Sequence, residues 1–74
     1  ARYLQAERII ERALRIEPGN SELWLEMAEI RLAQGDFGQA RLLAKKAQEL
    51  GLPRPLQERA NALLREAERS GRKA

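Results

Sequence analysis

Between residues 2 and 16, Tyr3, Ala6, Ile9, Ile10, Ala13 and Ile16 follow one another at three- and four-residue steps, the period of a helix with a single apolar stripe. Pro18-Gly19 interrupts that pattern, and Asn20 or Ser21 can then accept a hydrogen bond from a free amide in the first turn of a second helix, predicted over 21–34. Gly35 can take the left-handed conformation that closes it. Asp36 followed by Gln39 is a variant of the capping box, with the carboxylate on the first free amides and the Gln39 amide reaching back, so a third helix starts at Phe37. Gly51 ends this helix after Leu50, and Pro53 and Pro55 prevent its continuation. Pro55 also suits the first position of a fourth helix over 55–70, which carries Leu56, Ala60, Leu63, Leu64 and Ala67 on one side.

The link Gly35-Asp36 is too short for helices two and three to do anything but fold back on each other as an antiparallel hairpin. Small residues sit where they would meet: Ala28 on one side, with Ala40, Ala44 and Ala47 on the other. Their size permits close backbone approach, and Trp24, Met27 and Ile30 fill the surrounding space. The expected fold is all-α, with four helices at 2–16, 21–34, 37–50 and 55–70.

The chain also echoes itself at a period of 34 residues. Tyr3-Leu4-Gln5-Ala6 recurs as Phe37-Gly38-Gln39-Ala40, Ala13 recurs as Ala47, and Ile9, Arg12 and Ile16 recur as Leu43, Lys46 and Leu50. A fixed period in this range is the signature of stacked repeats, each burying its apolar face against its neighbours.

Composition narrows the chemistry. Leu and Ala supply 12 residues each, Arg 11 and Glu 10, while Val and Thr are absent, which favours helix and disfavours sheet. With 74 residues the chain forms one domain at most, and a chain of this size buries only roughly 60% of its unfolded surface. No cysteine and no metal-ligand cluster reinforces so thin a core. The absence of thiols is compatible with either redox compartment, so localisation stays open. No signal peptide is visible, and no apolar run approaches the ~18 residues needed to span a bilayer. Because the chain begins with Ala1, it is expected to be a processed or excised segment.

Charge is unevenly placed within a net +3. The 21–34 segment carries Glu22, Glu26 and Glu29 against Arg31 alone, whereas residues 54–73 carry Arg54, Arg59, Arg65, Arg69, Arg72 and Lys73 with Glu58, Glu66 and Glu68 interleaved. The basic side chains spread around a helix without an aromatic for base stacking, so a solvated helix face is a better reading than a nucleic-acid site. Catalysis finds no support. Histidine and cysteine are absent, Ser21 and Ser70 are the only serines, and the sole aspartate is assigned to a helix start. Glu22, Glu26 and Glu29 share one helix face but have no metal-compatible neighbours. No cofactor, metal or catalytic residue is expected.

The residues resemble the tetratricopeptide repeat, whose pattern runs W-x2-L-G-x2-Y, A-x3-F and P. Here it reads Trp24-x2-Met27-Ala28-x2-Arg31, then Ala40-x3-Ala44, with Ala47 three further on and Pro53 near the end. Leu32 to Ala40, which includes Gly35 and Phe37, looks like the inter-helix turn of that family. Tyr3, Ala6, Ile10, Ala13 and Pro18 fall in register with the second helix of a preceding repeat. Arg31 stands where an aromatic is usual and Ala44 where a larger apolar residue is usual, and after Pro53 the likeness fades. The resemblance thus implies a preceding second helix in 1–20, one complete repeat in 21–54, and a degenerate or capping helix with a basic tail in 55–74. About three repeats are normally needed for independent stability. The chain is therefore expected to be a fragment of a longer solenoid, or to have its open ends covered by another copy or a partner.

The resemblance further implies a non-catalytic module that presents a groove to a peptide or protein. In the family the first helix of each hairpin lines the concave side, which would put Glu22, Leu25, Glu26, Glu29, Leu32 and Ala33 in the groove. Helical spacing independently sets these apart from Trp24, Met27, Ala28 and Arg31. An apolar strip edged with carboxylates suits a peptide with apolar anchors and Lys or Arg neighbours. Some family members grip acidic C-terminal tails with Lys and Asn; Leu25 and Glu29 stand at the corresponding positions here, and Glu29 would repel such a tail. The alternative function is homo-oligomerisation through the exposed ends of the half repeats.

Overall fold

The computed structural model describes residues 2–72 as four helices: α1 (Leu4–Ile16), α2 (Ser21–Ala33), α3 (Phe37–Leu50) and α4 (Arg54–Arg72). The all-α architecture is the one expected, and the punctuation accounts for most of the helix ends. The Asn20 side chain accepts from the backbone amides of Glu22 and Leu23, which orients the start of α2. Gly35 closes α2 at φ 82°, a backbone region costly for any residue with a Cβ. At α3 the Asp36 carboxylate accepts from the Gln39 amide at 3.2 Å.

Three local details differ from expectation. Gln39 does not complete the capping box, because the Asp36 N–H instead donates to the Arg31 carbonyl at 2.9 Å and needs no side-chain acceptor. The first helix begins at Leu4 and not at residue 2, with Tyr3 at its cap and no side-chain hydrogen bond there. The fourth begins at Arg54, one residue before Pro55, and runs on to Arg72. The Pro53 carbonyl accepts from the Gln57 N–H at 2.8 Å, so the first turn is already formed around Pro55, where the missing proline N–H has no helical partner to lose.

Helices α2 and α3 pack as the predicted antiparallel hairpin, and α4 lies along the other side of α3. The centre is a set of small residues from three helices: Ala28, Ala40, Ala44, Ala47, Ala60 and Ala67 are essentially inaccessible, joined by buried Leu25 and Leu63. Trp24, Leu32, Phe37, Leu43, Leu52, Leu56 and Leu64 pack around them. The alanine stripe of α3 lets both neighbours approach closely, and the large side chains at the edges provide most of the buried apolar area.

Helix α2 touches all three others, whereas α1 packs against α2 alone. This explains why α2 shows little amphipathic contrast: Leu25, Ala28 and Leu32 belong to the core shared with α3 and α4, Ile30 faces α1, and Trp24 borders α1 while its Nε1 donates to the Pro18 carbonyl at 2.8 Å, which leaves one narrow arc for polar groups. The stripe of α1 is conversely only partly covered. Ile10 is buried, but Ile9 and Ile16 are 62% and 76% exposed.

An ion-pair triad fixes α1 to α2. Arg31 Nη1 donates to Glu7 Oε1 at 2.8 Å and to Gln34 Oε1 at 3.0 Å, and Gln34 Nε2 also donates to Glu7 Oε1. Arg31 thus fills the place of the usual aromatic by bridging polar groups between helices. Among the described residues, no helix is long and apolar enough to cross a membrane.

Candidate functional site

The solvent arc of α2 carries Glu22, Glu26, Glu29 and Ala33, one helical turn or less apart. Their carboxylates look across a shallow depression of about 250 Å³ bounded on the other side by Leu56 and Arg59 of α4. Leu25, expected on the groove surface, is only 1% exposed. It forms the floor, because α4 lies over the side of α2 from which Leu25 projects. Glu22 and Glu26 are exposed and Glu29 half-buried.

A second depression of about 270 Å³ continues along the same seam, between Leu32 and Glu29 of α2 and Ala62, Leu63 and Glu66 of α4. A third, of about 350 Å³, opens on the other side of α2 between Glu26, Glu29 and Ile30 and the Tyr3, Ala6 and Ile10 side chains of α1. Glu29 borders all three. The structure therefore brings five of the six expected groove residues to these depressions. Ala33 is exposed on the same arc but borders none of them.

The α4 side of the site, Leu56, Arg59, Ala62, Leu63 and Glu66, was not among the expected groove residues, and Arg59 is its charged member that reaches α2. Its Nη2 donates to Glu29 Oε1 at 2.6 Å and to Oε2 at 2.7 Å, and its Nε donates to Oε2 at 3.2 Å. Its pKa is raised, first by the hydrogen bond to Glu29, then by the charge of Glu29, with smaller contributions from Glu26 and Glu22. These carboxylates therefore act together as one negative field on a guanidinium. The only available signal was the basic-rich composition of 54–73, which does not say which arginine turns inward.

Two further arginines of α4 pair along their own helix. Arg69 lies 3.7 Å from Glu66 and Arg72 lies 2.6 Å from Glu68, while Lys73 lies outside the described residues. Among the described residues no group of acidic side chains has the arrangement to hold a metal ion.

Comparison with known families matches residues 1–66 to the tetratricopeptide repeat. No curated protein and no solved structure gives a match.

Proposed function

The chain belongs to the tetratricopeptide repeat family, and on that premise we propose that it is a non-catalytic interaction module whose α2–α4 groove takes a peptide segment combining apolar anchors with Lys or Arg. Repeats of this family generally mediate protein–protein interaction or scaffolding. The observation that carries the finer reading is the bidentate grip of Glu29 on Arg59 beneath two further carboxylates, Glu22 and Glu26. The groove already holds a guanidinium of its own, and a ligand cation meets the same field. Leu56, Leu32 and Ala62 supply apolar contact on either side of that charge.

The test is fluorescence anisotropy with two labelled peptides, one alternating Leu with Lys or Arg and one ending in acidic residues, against the native chain and a Glu22→Gln/Glu26→Gln variant. Both glutamates are exposed, so the variant keeps its fold. The cationic peptide is expected to bind and to weaken about threefold or more in the variant at low salt. Micromolar affinity for the acidic peptide, or indifference of the cationic one to both substitutions, overturns the reading. Leu25→Asp is unsuitable as a probe, since it would place a carboxylate in the core.

A further inference from the structure

The solvent face of α3 carries the chemistry that the groove is proposed to take. Leu42 lies opposite the buried stripe of Ala40, Ala44 and Ala47 and is 64% exposed. Arg41, Lys45 and Lys46 surround it on the same side, all exposed, and among the described residues none of the three makes an ion pair. Lys46 leans over the Trp24 ring, 5.9 Å from its centroid. Glu49, about two turns beyond Leu42, is the acidic group on this face. A large apolar side chain amid three cations is an apolar anchor with Lys and Arg neighbours.

We infer that the occupant of the α2–α4 groove is a second copy of this chain, which inserts the Leu42 face of its α3. The inference rests on the groove reading above and names its partner. Glu22 to Glu29 span about 10 Å along α2, and Arg41 to Lys46 span about 8 Å along α3. The row of cations can therefore meet the row of carboxylates, with Leu42 turned to the apolar contact that Leu56 and Ala62 offer.

The placement of the two faces sets the kind of assembly. Glu22 and Glu26 look away from the buried Ala28, and Leu42 looks away from the α3 alanines, in the core that both helices share. The faces thus lie on opposite sides of the α2–α3 hairpin, and a two-fold axis cannot satisfy both contacts between two copies. Each added copy leaves one groove and one Leu42 face unoccupied, which makes the contact heterologous and open-ended. It is separate from the half-repeat ends that the sequence offers for oligomerisation.

The experiment is sedimentation of the native chain, a Glu22→Lys/Glu26→Lys variant that loses the acidic arc, and a Leu42→Glu variant that loses the apolar anchor. All three positions are exposed, and circular dichroism checks that the helices are kept. At low salt the average mass of the native chain is expected to rise with concentration past the dimer, and to fall back as salt is added. Each variant alone self-associates about tenfold more weakly or less. An equimolar mixture of the two forms a 1:1 pair and nothing larger, because one partner keeps the α3 face and the other keeps the groove. A native chain that stays monomeric at about 1 mM, a closed dimer, or a mixture that does not pair overturns the inference. The peptide assay separates the two readings: if the cationic peptide binds while the native chain stays monomeric, only the second copy is removed as occupant, and if neither binds, the groove reading falls with it.

Discussion

Arg59 of α4 spans the groove and holds both carboxylate oxygens of Glu29 on α2, at 2.6 and 2.7 Å from the same guanidinium nitrogen. The two side chains are 53% and 37% exposed, so solvent screens the pair and its role in stability is small. In the proposed function its role in recognition is larger. Arg59 lies in the combined field of Glu29, Glu26 and Glu22, so under the proposed function a cationic ligand competes with it.

Arg59→Ala is therefore expected to change unfolding free energy by less than about 1 kcal/mol. It should tighten binding of a Leu/Lys peptide about threefold, a gain that shrinks as salt is added. Urea denaturation and anisotropy at two ionic strengths check this, and a large loss of stability without a gain in affinity contradicts it.

Glu7 is the hub of the triad that holds α1 to α2, accepting from both Arg31 and Gln34. Glu7→Ala leaves Arg31, 27% exposed, without its carboxylate, at an expected cost of about 1–3 kcal/mol. Hydrogen exchange should rise across α1 more than across α3. Equal acceleration in both helices would mean that the triad does not control α1 docking.

Ala44, at a position where a larger apolar residue is usual in the family, has no exposed surface. The space is already filled by its neighbours from α2 and α4. Ala44→Leu should consequently destabilise by about 1–3 kcal/mol through overpacking, measured by chemical denaturation. An increase in stability would reveal unfilled space beside α3.

Two glycines should respond with opposite signs. Neither a Cβ at Gly35 nor one at Gly38 meets another atom within 4 Å, but Gly35 has φ +82° whereas Gly38 lies inside α3. Gly35→Ala is expected to cost about 1 kcal/mol from backbone strain alone. Gly38→Ala should stabilise by about 0.5–1 kcal/mol through helix propensity. Thermal denaturation of both variants tests this; a stabilising Gly35→Ala would show that the turn can relax.

Helix-level features were legible because their causes are local. Asn20, Gly35, Asp36 and Gly51 act on amides and carbonyls within a few residues of themselves, so their chemistry is readable in order along the chain. Gln39 shows the limit even at that range: it had the right spacing to reach back, but the Asp36 amide was taken by Arg31, a partner determined by how the α2 end winds. The groove was legible as a helix face and less so as a surface. Leu25 and Glu26 are adjacent in sequence and both were placed in the groove, yet α4 covers one and leaves the other to solvent.

By itself the sequence determined four helices, their turns and a 34-residue internal register, since periodicity, glycine conformation and capping are properties of short segments. The tertiary structure decided which part of each apolar arc acquires a neighbour. Helix α2 is apolar toward three directions, and only the positions of α1, α3 and α4 reveal that the remaining direction belongs to Glu22, Glu26 and Glu29. It also brought Arg59 to Glu29 across 30 residues of chain and left Ile9 and Ile16 outside the core. Those outcomes depend on the relative placement of whole helices, which no local pattern encodes.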